Sequence, residues 1–485
     1  MSKANAPSRI WLAKLTVSAI IVAFTVVGAV GSPTPYPLIA SGAALVLIIA
    51  LLWPVNGLPI LLLPAVYQWS VVAVKPIQSA IEHVPLNALS SFGGDLGRAS
   101  YFALAAICAM ALGMKVGIGR LGKDQNRALA QEAAAWPQRQ VLAITVTTIL
   151  LGHALDIASP YTGPARQVFL ALGGLRYAGL FALTYWCLVR KQAYGVLALV
   201  LLVEIVSGMT GFFADFRGAV LTVAVAALCA RPSLRLGNLL TMAVIGGVVL
   251  SVAVFWSAVK ADYRNFVNLG TGAQVVSVPI TARLDYLSEA LDEYDAQQFN
   301  YGLTRLLSRH SYIDFLANTL SYVPRIVAHE DGGRLGKSLL HIVTPRIFFP
   351  NKPPTPNDAQ VTAHYTGLPT ANNPNASISI GYVGEFYIDF GYVGAVVACF
   401  VMGWFYGWGC RFILTKGLGS RLFLYGLCVM TSLTMSSFET ALIKLIGGVV
   451  TSFAAAFVIS RFVLPHLAPR LRGARRVRAA APVRT

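Results

Sequence analysis

The residues able to do chemistry are few in this 485-residue chain, and many crowd into one stretch, 344–394. There Arg346, Lys352, His364, Glu385 and Asp389 stand among Pro, Gly, Asn and aromatic residues, just ahead of an apolar run. Arg346 and Lys352 bracket PRIFFPNKP, whose prolines restrict the backbone and whose Phe348 and Phe349 suit an interfacial anchor. Two cations fixed relative to each other suit a diphosphate. Arg305 and Arg309 lie four apart, on one helical face, with His310 adjacent; paired guanidinia suit bidentate phosphate binding. Arg217, in ADFRGAVLT, stands where a turn leads into an apolar run. A guanidinium at that depth needs an anion, either the neighbouring Asp215 or a bound one. Glu385, Tyr387 and Asp389 alternate in GEFYIDFG. A carboxylate at a low-dielectric boundary holds its proton more tightly, which suits a general base. The competing reading is that Glu385 neutralises an arginine.

Four histidines, His310, His329, His341 and His364, fall between 260 and 390. No two have the i, i+4 spacing of a helical metal pair and no Cys is near, so no metal site is expected. His364 and His341 are the next candidates for a base. All six cysteines lie within or at the ends of apolar runs, which implies neither a disulfide framework nor a zinc site. GIGRLG at 117–122 matches a dinucleotide fingerprint in form only. It follows an apolar run and opens no βαβ unit, so its glycines read as a helix end.

The elements that must position these residues are apolar helices. A mean hydropathy of +0.64, with 56% hydrophobic and 12% charged residues, describes a polytopic membrane protein rather than a soluble one. Runs able to cross roughly 30 Å of hydrocarbon occur at 13–31, 37–53, 57–74, 99–115, 140–157, 168–189, 193–208, 212–230, 238–259, 391–413, 421–436 and 440–463, twelve in all. The first follows a basic start, yet its length and the lack of a soluble mature domain favour an uncleaved helix over a signal peptide. The formal charge of +18 sits in short flanks of these runs. It therefore reads as positive-inside topology and attraction to anionic lipid, not as a nucleic-acid footprint. With both termini cytoplasmic, every basic internal loop is cytoplasmic too. The chain thus divides into an N-terminal bundle of about nine helices (1–259), a long far-side loop carrying the site (260–390), about three C-terminal helices (391–465) and a basic tail (466–485). Leucines and isoleucines at three- and four-residue steps from Leu284 to Leu320 argue for amphipathic helices at the membrane surface in the first half of the loop. Turn formers after Pro345 suggest that contacts order the second half.

Twelve runs, a long far-side loop between the ninth and tenth, Arg217 where a turn enters a helix, PRIFFPNKP and GEFYIDFGYVG together resemble the Wzy-type polymerases of bacterial O-antigen and exopolysaccharide repeat units. The related O-antigen ligase type shares the layout. The resemblance implies a glycosyltransferase C-type-like fold in the inner membrane, acting at the periplasmic face on polyprenyl-pyrophosphate-linked oligosaccharide. It implies no nucleotide or cofactor and a possible chain-length regulator as partner. Arg217, Arg309, Arg346 and Lys352 would then stabilise the departing diphosphate, with Arg305, His341 and Asp389 contributing to binding. Glu385, or else His364 or His341, would take the acceptor proton, and Tyr365, Tyr382 and Tyr387 would stack on sugar rings. Single displacement would invert the anomeric centre. A lipid-linked-sugar flippase is the rival from another class. Charges gathered at one face and the absence of a visible repeat speak against it.

Overall fold

The computed structural model describes residues 6–54, 57–122, 125–211, 216–230, 236–272, 275–344, 346, 348–354, 357–369 and 378–466, without the side chains of 6–9 and 236–243. Every regular element among them is helical: α1 (Ala6–Gly31), α2 (Pro35–Leu52), α3 (Leu62–Glu82), α4 (Leu96–Ile118), α5 (Gln125–Ala135), α6 (Gln138–Ala158), α7 (Arg166–Gly173), α8 (Leu175–Arg190), α9 (Tyr194–Met209), α10 (Phe216–Ala230), α11 (Leu236–Val267), α12 (Ile280–Asp292), α13 (Ala296–His310), α14 (Ile313–Tyr322), α15 (Gly333–Val343), α16 (Asp358–Thr366), α17 (Tyr382–Lys416), α18 (Arg421–Leu433) and α19 (Leu442–Val458). Each of the twelve apolar runs falls on a helix or on the α7–α8 pair. Among the described residues, eight helical segments are long and apolar enough to cross a membrane, and α9, α10 and α18 are shorter apolar helices. The chain is an all-α, multi-pass membrane protein.

The centre of the bundle is the parallel pair α4 and α17, and glycine spacing explains its closeness. Gly113 and Gly117 of α4 face Gly403 and Gly407 of α17, each pair four residues apart. A Cβ on Gly113 would stand 2.0 Å from the Phe400 carbonyl oxygen, and one on Gly403 would stand 2.0 Å from that of Met110. Only glycine lets two backbones meet so closely, and in lipid such small-residue seams supply much of the association between helices. Gly117 of the GIGRLG stretch is thus a packing residue. Gly119, with φ 57°, ends α4, as the expectation of a helix end required.

The long loop is mostly helical. Helices α12, α13 and α14 cover the leucine-spaced stretch, and α13 packs along the end of α11. The loop's far boundary differs from the one read in the sequence. Residues 382–389 belong to α17, are buried, and join the outer part of that helix through a kink at Gly391 (φ 65°, ψ −165°). Their charges made GEFYIDFG look like a loop, whereas the protein supplies partners for both carboxylates, which is what charged residues inside a bundle require. Helix α5, within the basic 115–139 loop, was not expected. It is tied down by Leu129 and Ala133, both fully buried, and by a hydrogen bond from the Trp186 indole to the Trp136 carbonyl (3.0 Å).

Replacing Gly403 with Val forces α4 and α17 apart. Overpacking of this kind costs about 1–3 kcal/mol, so the Tm of the detergent-purified variant should fall by several degrees. The same change at Gly195, where a Cβ meets nothing within 4 Å, should leave it in place.

Candidate functional site

The two carboxylates of α17 lie one helical turn apart and each closes the start of another helix. Glu385 accepts from the backbone N–H of Leu442, the first residue of α19 (3.0 Å), and from Nη2 and Nε of Arg334 (2.6 and 3.0 Å). Asp389 accepts from the backbone N–H groups of Arg334 and Leu335 at the start of α15 (2.9 and 2.7 Å). Helix N-termini carry unsatisfied donors and partial positive charge, so an internal anion is the natural complement. The Arg334 guanidinium also lies 5.1 Å from the centroid of the Tyr365 ring, whose hydroxyl donates to Glu330 (2.5 Å). Burial works against the Arg334 charge, but Glu385 and Tyr365 more than offset it. Burial and the Glu330 contact push the Tyr365 hydroxyl up to about 12, and the Tyr365 hydrogen bond holds Glu330 below its ordinary value.

This geometry gives Glu385 and Asp389 a structural occupation, at 2% and 1% exposure. The base expected at Glu385 gives way to the competing reading, in which it neutralises an arginine. That arginine is Arg334, which sequence reasoning passed over because its partners lie about fifty positions away. The tyrosines expected to stack on sugars are likewise buried. Tyr387 donates to the Val323 carbonyl (2.8 Å), Tyr382 donates to Gln68, and Tyr365 is 3% exposed.

The PRIFFPNKP cations are engaged with backbone. Lys352 donates to the carbonyls of His341 and Thr344 (2.9 Å for Thr344), complementing the C-terminal end of α15, and Arg346 donates to the Pro353 carbonyl (3.3 Å). Phe348 and Phe349 are 77% and 50% exposed, as interfacial anchors would be. Burial, then Lys352 and Arg346, pulls the His341 imidazole below its ordinary value. His364 is exposed and touches Tyr365 edge-on (4.6 Å). Among the described residues no hydrogen bond or ion pair links these four to Arg217.

Arg217 instead organises a second group. At the start of α10 its guanidinium donates to the Tyr67 hydroxyl (3.2 Å), Glu439 (3.3 Å) and the Ser437 hydroxyl (2.8 Å), and it lies 5.0 Å from the centroid of the Tyr67 ring. Asp215, its other expected partner, falls outside the described residues. The His310 ring meets Tyr67 edge-on (5.2 Å), and His310 Nε2 lies 2.8 Å from the Ser70 hydroxyl. That hydroxyl donates to the Tyr67 carbonyl (2.6 Å), so its oxygen receives the Nε2–H and leaves Nδ1 as the basic nitrogen of neutral His310. Burial pulls His310 below its ordinary value; Glu439 acts upward and Arg217 downward. Lys260 of α11 lies in the field of Arg264, Arg309 and Arg217. Arg305, whose guanidinium lies over the ring of Tyr301 (4.9 Å), adds its charge beside Arg309. No described carboxylate comes within ion-pair distance of Lys260 or Arg309.

A cavity of about 1090 Å³ opens beside Arg217 and is walled by polar groups from α6, α8, α9 and α12 as well as by apolar ones. Arg283 donates to the Thr210 carbonyl (2.6 Å), while its buried Nε has no hydrogen-bond partner. Arg176 pairs with Asp156, and His153 with Glu204 (2.9 Å), which is 4% exposed. The recess follows from helix length. With 16, 15 and 13 residues, α9, α10 and α18 reach only about 20–24 Å at about 1.5 Å per residue, short of roughly 30 Å of hydrocarbon. The rule that singled out Arg217, a charge inside an apolar run, also applies to Arg176 and Glu204. Lys260, Arg264, Arg283 and Glu439 carried no such signal.

The buried Arg334–Glu385 pair predicts a specific stability pattern. Glu385→Gln leaves Arg334 without its counter-charge, a loss that costs about 3–5 kcal/mol when a buried pair is broken, so Tm should drop sharply. Adding Arg334→Gln should cost less than the two single changes summed, whereas strict additivity of the melting shifts would refute the pairing. The chain matches no family model, no curated protein and no solved structure.

Proposed function

We propose that this chain is a membrane glycosyltransferase that joins polyprenyl-pyrophosphate-linked oligosaccharide repeat units. The observation that carries the reading is a cavity recessed within an apolar bundle and lined by Arg217, whose charge also acts on His310 and on Lys260, the latter lying in the field of Arg264 and Arg309 as well. A diphosphate on a lipid carrier is the ligand such a place suits: its charge answers the cations and its tail stays in the bilayer. In this reading the bundle has twelve spans with a glycosyltransferase C-type-like arrangement and both termini in the cytoplasm. The cavity then faces the periplasmic side of a bacterial inner membrane.

The reaction is a single displacement. An acceptor sugar hydroxyl attacks the anomeric carbon of the donor and its proton passes to Nδ1 of His310. The bond from that carbon to the pyrophosphate oxygen breaks, the electron pair leaves with the lipid pyrophosphate, and the configuration inverts. Arg217, Lys260 and Arg309 stabilise the charge that develops on the leaving oxygen, which is worth most in a water-poor site. His310 suits a base because burial keeps it neutral near pH 7. Arg346 and Lys352, being held by carbonyls, shape the loop and do not meet the diphosphate.

Purified protein in nanodiscs, supplied with its lipid-linked repeat unit and no nucleotide sugar, should build a ladder of products. Arg217→Ala should slow extension by about 10²–10³-fold, the usual effect of removing one charge-stabilising donor, while Arg346→Ala should retain most of it. A full-rate Arg217→Ala ladder refutes the assignment. The neutral form of His310 exists above its pKa and is lost as pH falls through it. Because that pKa is held below the ordinary 6.5, the acid limb of the pH–rate profile should lie under 6.5. His310→Gln should remove that limb along with most of the rate.

A further inference from the structure

The other end of the bundle carries a smaller basic pocket that the reaction does not use. Helix direction alternates through α6, α8, α9, α10 and α18, which places the large cavity at the end where α6 finishes and α10 begins. A pocket of about 300 Å³ lies at the opposite end, where α1 begins and α2 and α4 finish. Lys14 of α1, Lys115 in the last turn of α4 and Arg120 line it, with Leu52, Trp53 and Leu58 among its apolar walls. Arg411 of α17 lies against Gly119 at its edge. Lys14 donates to the Ala50 carbonyl at the end of α2 (3.1 Å). Cations at helix C-termini are ordinary, and that contact accounts for one N–H of one of them. No described carboxylate comes within ion-pair distance of Lys14, Lys115 or Arg120.

Two further observations say what fills it. Lys14 and Lys115 lie in each other's field and so resist the approach of α1 to α4. Packing opposes that resistance only in part: α1 leans on α2, with Val17 and Ile21 partly buried against the core, but no residue of its apolar stretch is fully buried. We propose that this pocket binds the phosphate of an acidic phospholipid headgroup, which bridges Lys14, Lys115 and Arg120 and fastens α1 to the bundle. A phosphate cancels the repulsion, and the headgroup sits at the membrane level where these helices end while its acyl chains follow the exposed face of α1. The site is independent of the glycosyl-transfer reading.

Native mass spectrometry of the detergent-purified protein, titrated separately with phosphatidylglycerol, phosphatidylcholine and inorganic phosphate, tests the proposal. Phosphatidylglycerol should be retained at lower concentration than phosphatidylcholine, and equimolar inorganic phosphate should not displace it. Lys14→Gln and Lys115→Gln should each weaken retention about fivefold, and the triple variant with Arg120→Gln about a hundredfold, from the usual worth of a surface cation toward acidic lipid. The pair Arg190→Gln and Lys191→Gln, at the same end but outside the pocket, should leave it unchanged. Equal retention of the two lipids, displacement by free phosphate, or undiminished binding in the variants overturns the proposal. If the triple variant does not fold, the two single variants decide.

Discussion

Positive charge held at the edge of a low-dielectric bundle is the constraint on which the site depends. Lys260 and Arg264 come from α11, Arg309 from α13 and Arg217 from α10, where Arg217 pairs with Glu439. Like charges about 8 Å apart repel by about 2 kcal/mol at an effective dielectric constant of about 20. A fold that brings several together must recover that cost by packing elsewhere, and the repulsion falls when an anion arrives. Binding energy stored in this way favours the ligand with the most concentrated negative charge that can reach a recess in the membrane. The lipid diphosphate of the proposed reaction meets both conditions.

Where the structure needs an anion for its own sake, it supplies one. Glu385 and Asp389, a turn apart on the buried start of α17, close the N-termini of α19 and α15 and hold Arg334 between them. Helix α17 can serve as that fixed post because its outer part is locked against α4 by paired glycines. The helices that carry the cations are held differently. Tyr263 of α11 and Arg283 of α12 both donate to the Thr210 carbonyl at the end of α9. The contrast between a charge-balanced post and a charge-rich rim separates the scaffold from the site.

Much of the scaffold was legible in the sequence, because apolar length and glycine or proline punctuation act locally. All twelve runs fall on helices, and the leucine spacing in the loop marks α12 to α14. Short helices such as α9 and α10 could be found but not their consequence, since the cavity exists only when their lengths are compared in space. The site was legible in part. Arg217 and Arg309 declared themselves through their position and spacing, while Lys260 and Arg264 looked like the flank of a span. Glu385 misled because a carboxylate beside an apolar run reads the same whether its partner is a substrate or Arg334. His310 was noted beside Arg309 and as one of four loop histidines, but not its environment, which is made by Tyr67 and Ser70, some 240 positions earlier.

The most direct test of the central claim is to find where a polyprenyl pyrophosphate sits. A photoactivatable analogue with the reactive group next to the diphosphate, crosslinked in nanodiscs and mapped by peptide mass spectrometry, reports this. The account predicts labelling of peptides around Arg217, Lys260–Arg264 and Arg309–His310, lost on competition with unlabelled polyprenyl pyrophosphate. Competable labelling confined to 346–364, with none around Arg217, would contradict it.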